Sequence, residues 1–105
     1  MFYKILVNTE ARVDVLEAAD WYEQQRIGLG YDFYLNFEDA IELLKSHPYI
    51  FQEVYNNFRR TLMKNFPYAI FYSVDEIEKE VEVVGVFNTH RDPEIWKKRI
   101  KLKSK

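Results

Sequence analysis

The side chains of Arg59, Arg60, Lys64, Tyr72, His90, Arg91 and Arg99 are the ones in this sequence whose types suit work on a phosphate. Guanidinium and ammonium groups hold phosphate oxygens through charge-assisted hydrogen bonds and stabilise charge developing on them. A histidine or tyrosine beside them can move a proton. On this reading Arg60, His90 and Arg91 are the catalytic candidates, with both arginines on the phosphate and His90 in proton transfer. Arg59, Lys64, Tyr72, Trp96 and Arg99 are the binding candidates. A structural reading stands beside them. Arg59 and Lys64 are suited to guard an exposed strand edge, Tyr72 to fill a core, and Arg91 to pair with Asp92 or a helix acid. Other chemistries lack their residues. The chain has no cysteine. His47 and His90 lie far apart with no carboxylate at ligand spacing, so no metal centre is expected. There is no glycine-rich phosphate loop and no serine elbow. Paired carboxylates fall on helix faces, where they serve solvation. Neither a cofactor nor a small-molecule ligand is expected.

The stretch from Arg59 to Val74 must position most of these groups. It reads as two strands joined by a tight connection at Asn65 to Pro67. Tyr68, Ile70, Tyr72 and Val74 share one face of the second strand, and Ala69, Phe71 and Ser73 the other. Apolar residues on both faces predict a central strand covered on both sides. Strands are expected over about 57–64, 67–75 and 80–89, with a charged loop from Asp75 to Lys79. In the last strand Val81, Val83, Gly85 and Phe87 are expected on one face and Val84 and Val86 on the other. Neighbouring strands are expected to bring Arg60, Tyr72 and the His90–Arg91 pair to one side of the sheet.

The first half supplies cover. Phe2 to Val7 reads as a short strand. Asn8 or Thr9 caps a helix running to about Arg26, with Ala11, Val15, Ala18 and Tyr22 as its buried stripe. Glu17, Asp20, Glu23 and Gln24 are expected to face water. Gly28 is placed to end that helix in the left-handed conformation. A second helix is expected from about Tyr31 to Ser46, with Phe33, Phe37, Ala40, Ile41 and Leu44 at helical spacing, and His47-Pro48 stops it. The two helices make an antiparallel hairpin, and Tyr49 to Asn57 leads into an edge strand. Asp92-Pro93-Glu94 opens a short helix carrying Trp96, Arg99 and Ile100. The tail from Lys101 is expected to fray.

At 105 residues the chain is read as one α+β domain, 1–105, long enough for a single core. No stretch reaches the roughly 18 apolar residues of a membrane span, and no signal peptide opens the chain, so a cytoplasmic protein is expected. The net charge of −2 hides an asymmetry. Residues 10–42 hold nine acids and two bases, whereas residues 59–105 hold eleven bases and seven acids. The helical half is therefore expected to be acidic and the sheet half basic, suited to an acidic protein segment or a nucleic-acid backbone. So small a net charge argues against a protein that only coats RNA or DNA.

In this order the chain resembles the ParE/RelE superfamily of toxins from bacterial type II toxin–antitoxin systems. The likeness rests on Ala18-Ala19-Asp20-Trp21-Tyr22-Glu23, Gly28-Leu29-Gly30, Phe33, Pro48 and Arg59-Arg60. It continues through Phe66-Pro67-Tyr68-Ala69-Ile70-Phe71-Tyr72, Val86-Phe87-Asn88-Thr89-His90-Arg91-Asp92-Pro93 and Trp96. It is nearest to the ParE-like branch described as plasmid-stabilisation proteins. The resemblance implies a two-layer β-α-α-β-β-β fold with the hairpin on one face of an antiparallel-dominated sheet and the first strand beside the last. It implies a small acidic antitoxin as partner, and DNA gyrase (ParE type) or the ribosome (RelE type) as target. RelE-type members cut messenger RNA with strand Lys and Arg residues and a C-terminal tyrosine. Here no tyrosine follows Tyr72, and Asn88-Thr89-His90-Arg91 stands where that branch has a His before two arginines. The departure favours binding to gyrase over mRNA cleavage; a non-toxic remnant that only binds an antitoxin-like partner is the third alternative.

Overall fold

The computed structural model describes residues 2–104. Strand β1 (Lys4–Val7) is followed by helices α1 (Thr9–Gln25) and α2 (Leu29–Leu44), then β2 (Glu53–Tyr55), β3 (Phe58–Leu62), β4 (Tyr68–Asp75), β5 (Glu80–Asn88) and α3 (Glu94–Lys103). The five strands form one sheet in the order β1-β5-β4-β3-β2. β1 runs parallel to β5 and every other pairing is antiparallel. The class, the element order and the placing of the first strand beside the last are therefore as expected.

Local chemistry accounts for the helix ends. The Asn8 side chain accepts the Ala11 amide at 2.8 Å and caps α1. Gly28 takes φ 91°, a left-handed conformation that glycine adopts without steric cost. Glu23 faces water as expected, and its carboxylate also reaches past the end of α1 to accept the amides of Gly28, at 3.0 Å, and Gly30, at 3.0 Å. An anion on those orphan amides matches the helix dipole, and α2 begins at Leu29 rather than Tyr31. The helix stops at Leu44, short of the expected Ser46. Before α3, Asp92 accepts the Glu94 amide at 3.0 Å. α3 stays helical to Lys103 instead of fraying from Lys101, because Ile100 is buried beneath it and Lys103 pairs with Glu10 at 3.1 Å. Lys105 lies outside the described residues.

The sheet is covered on both faces. One side packs Ile70, Tyr72, Val81, Val83 and Val86 against Ala11, Val15 and Ala18 of α1 and Phe33, Phe37, Ile41 and Leu44 of α2. The other packs Phe58, Ala69, Phe71, Val84 and Phe87 against Ile100, with Trp96 alongside. The expected alternation along β5 breaks in the middle. Phe71 pairs with Gly85 and Tyr72 with Val83, which leaves Val84 without an opposite residue. This β-bulge shifts the side-chain phase by one. Val86 consequently joins Val81 and Val83 under the hairpin, and Val84 joins Phe87 under α3.

Candidate functional site

The eight sequence candidates separate into those consumed by the fold and those left facing solvent. Tyr72 is wholly buried under the hairpin, and its hydroxyl donates to the Pro48 carbonyl at 2.7 Å. Burial pushes its phenol up to about 12, so it is a core residue with no access to a ligand. Arg59 lies on the same side, opposite Tyr72. It donates to the Phe51 carbonyl at 2.7 Å and sits 5.1 Å from the Tyr49 ring centroid. Its task is to hold the segment leading into β2. Trp96 stacks on Phe71 at 4.8 Å between centroids. Arg99 binds Asp14 of α1 with both terminal nitrogens, the longer contact being 3.2 Å.

Arg60, Lys64, His90 and Arg91 are exposed, and among the described residues none has a carboxylate within ion-pairing distance. Lys64 and the His90–Arg91 pair lie at the same end of the sheet, where the Thr89 amide donates to the Pro67 carbonyl at 2.8 Å, and Arg60 sits further along β3. Arg60 faces the α3 side opposite Phe71, and Phe71 is opposite Gly85. That sets Arg60 two strands, about 10 Å, from β5, level with Gly85. Arg91 comes six residues later, in the turn beyond the end of β5 at Asn88. The expected meeting of Arg60, Tyr72 and the His90–Arg91 pair on one side of the sheet therefore does not occur, since Tyr72 points to the opposite face. Lys64 lies beyond β3, in the turn before β4.

Arg91 opens instead onto a cleft of about 420 Å³ between α1, the outer edge of β5 and α3. Asp14, Glu17 and Trp21 form its α1 wall, Asn88 its floor, and Ile95 and Arg99 its α3 wall. Asp14 is the central group. It accepts the Val86 amide at 2.9 Å while binding Arg99. Burial pushes its carboxyl above the usual range, against the opposing pull of Arg99 and of the Val86 amide. Sequence reasoning passed over Asp14 as one more acid on a solvated helix. Its signal was positional: three residues after Ala11 and four before Ala18, it borders the buried stripe.

A second polar cluster stands at the opposite end of the sheet. Tyr3 and Tyr49 donate to the same Glu76 oxygen, at 2.9 and 2.6 Å, and Lys79 also binds Glu76. Lys79 first, then the two hydroxyls, hold the Glu76 carboxyl down at about 2. This exposed cluster ties β1, the segment after α2 and the β4–β5 turn together, and is structural.

No protein-family profile matches the sequence, and no curated protein matches it. Solved structures do. The toxin–antitoxin complex RelBE2 from Mycobacterium tuberculosis contains a chain similar at 15% identity and a TM-score of 0.61, over 84% of this chain and 99% of that one. The chromosomal ParDE toxin–antitoxin system of P. aeruginosa gives 13% identity and 0.61, over 84% and 97%. A mutant of the E. coli toxin RelE in the free state gives 12% and 0.62, over 97% and 98%. The chain thus has the fold shared by the RelE and ParE toxins. Among the described residues no helix is long and apolar enough to cross a membrane.

Proposed function

We propose that this protein is the toxin of a type II toxin–antitoxin pair and acts by binding, with DNA gyrase as its target and a small acidic antitoxin as its partner. The fold supports the toxin reading. The observation that favours binding over catalysis is that Arg91 lines the cleft between α1, β5 and α3, whereas Arg60, on β3, does not. A phosphoryl-transfer site needs its charges preorganised around one phosphate, and the two arginines approach different parts of the surface. The exposed lysines of α3, Lys97, Lys98, Lys101 and Lys103, give the basic side an electrostatic match to an acidic partner.

The alternative is a ribosome-dependent mRNA endonuclease. It draws support from the exposure of Arg60, Lys64, His90 and Arg91 without carboxylate partners. Inducing the protein without its partner, while following DNA breaks and transcript integrity together, separates the readings. Double-strand breaks with intact transcripts are expected. Rapid transcript cleavage with undamaged DNA would select the nuclease, and neither effect would leave a protein that only binds its partner. Co-purification with the small protein encoded in the adjacent reading frame tests the antitoxin; recovery of two separate monomers would count against it.

A further inference from the structure

We propose that Asp14, Arg99 and the Val86 amide form a latch that couples the seating of α3 to the closing of the outer edge of β5, so that helix and edge open together. The inference stands apart from the toxin reading, because it rests on backbone and side-chain geometry alone.

β1 pairs with β5 only from Glu80 to Val83, yet β5 continues to Asn88. Beyond Val83 no described strand flanks that edge. Unpaired strand edges invite pairing by other chains, and proteins cover them. Here the cover is a side chain. The Asp14 carboxylate accepts the Val86 amide at 2.9 Å, in the place where a neighbouring strand would present a carbonyl. Asp14 reaches there from α1, which crosses above the edge.

The same carboxylate holds α3. Arg99 binds both of its oxygens, and the guanidinium lies 4.5 Å from the Phe87 ring centroid. The approach depends on Gly85. A Cβ at that position would come within 3.3 Å of the Arg99 guanidinium and collide with the Phe87 ring. Asp14 and Arg99 side chains are only 12% and 21% exposed. The remaining polar ties between α3 and α1 run through Glu10, to Arg99 at 3.9 Å and to Lys103 at 3.1 Å, and Glu10 is half exposed. Exposed pairs of this kind contribute little.

One carboxylate thus serves two donors, and loss of either changes its hold on the other. If α3 lifts away, Asp14 becomes a half-buried charge with a single amide donor. It then turns to water and releases Val86. If a carbonyl displaces Asp14 from Val86, Arg99 keeps a partner that has lost its anchor. Such coupling is reciprocal by thermodynamic necessity. The β5 edge is available for strand pairing only while α3 is off, and the sheet face around Phe71 and Phe87 is uncovered in the same event.

Hydrogen exchange of the full chain, read residue by residue by NMR, tests the latch. Arg99→Ala should accelerate exchange of the Val86 amide and of the α3 amides from Lys97 onward by a common factor, about tenfold or more, with Ile70 and Tyr72 unchanged. Asp14→Ala should accelerate the α3 amides although Asp14 lies on α1. Glu10→Gln should leave Val86 as it is. Arg99→Lys, which keeps the charge and one donor, should fall between wild type and Arg99→Ala. It also serves if the alanine variant does not fold. Val86 protection unchanged in Arg99→Ala or Arg99→Lys, or α3 protection unchanged in Asp14→Ala, would overturn the proposal in favour of an ordinary ion pair beside an independently satisfied amide.

Discussion

The Tyr72 hydroxyl sits in the core with the Pro48 carbonyl as its acceptor. Tyr72→Phe keeps the ring and strips that carbonyl of its donor. A buried acceptor left unpaired costs about 1–3 kcal/mol, and urea unfolding should show this near neutral pH. The pH dependence has a definite sign. In the unfolded chain the phenol ionises near its ordinary value of 10.0, whereas in the fold it holds its proton to about 12. Between those values the unfolded state binds fewer protons, so stability falls as pH rises through the window. Tyr72→Phe removes that contribution, and its deficit against wild type should shrink between about pH 8 and about pH 11. A deficit that stays constant would place the ionisation elsewhere. Glu23 is the other residue with an unexpected task. Glu23→Ala should cost roughly 1 kcal/mol through loss of the carboxylate on the Gly28 and Gly30 amides, readable as a lowered melting temperature.

Packing decides what happens when a whole helix is disturbed. Phe37 is 3% exposed on the inner stripe of α2. Phe37→Ala should cost roughly 3–5 kcal/mol, a large share of the roughly 5–15 kcal/mol a domain of this size possesses. An unchanged melting temperature would mean that the hairpin is seated by other contacts. The two glycines at the hairpin turn should respond to alanine for different reasons. Gly28 has open space but φ 91°, a strain of roughly 1 kcal/mol for a residue with a Cβ. At Gly30 a Cβ would lie 2.5 Å from the Ala19 carbonyl oxygen. That backbone atom cannot yield without parting α1 from α2, an overpacking cost of about 1–3 kcal/mol. Gly30→Ala is therefore expected to be the more damaging by thermal unfolding.

On the scale of the whole molecule, charge is distributed by side, and part of it is spent internally. Glu10 and Asp14 of the acidic hairpin meet Arg99 and Lys103 of the basic end. What remains exposed on α3 includes Lys97, Lys98 and Lys101. Reversing these three to Glu should leave stability nearly unchanged and slow association with an acidic partner by an order of magnitude or more at low salt, the difference shrinking as salt rises. Stopped-flow association against salt is the measurement; a salt-independent rate would remove α3 from the contact surface. Truncation from Lys97 is the poorer experiment, because it also takes Ile100 out of the core.

Amphipathic period and punctuation made the elements legible without a structure. The stripe of Ala11, Val15 and Ala18, the stripe of Phe33, Phe37, Ile41 and Leu44, the left-handed Gly28 and the Asp92-Pro93 start are local signals, and local backbone preference sufficed to read them. The apolar residues on both faces of β4 likewise implied cover on both sides. Position in three dimensions was another matter. The bulge at Val84 arises from how β4 and β5 meet, and it alone decides that Val86 lies under the hairpin and Phe87 under α3. Whether a cation is free or consumed depends on partners outside its own strand or helix: Phe51 for Arg59, and Asp14, 85 residues away, for Arg99. Neighbouring strands were expected to bring Arg60, Tyr72 and the His90–Arg91 pair to one side of the sheet, but Tyr72 packs under the hairpin while Arg60 lies opposite Phe71 on the other face. The sequence determined which segments are helix and strand and which residues carry charge. Only the tertiary structure decided which of those charges still face a partner, because burial and pairing come from contacts between segments that no local signal records.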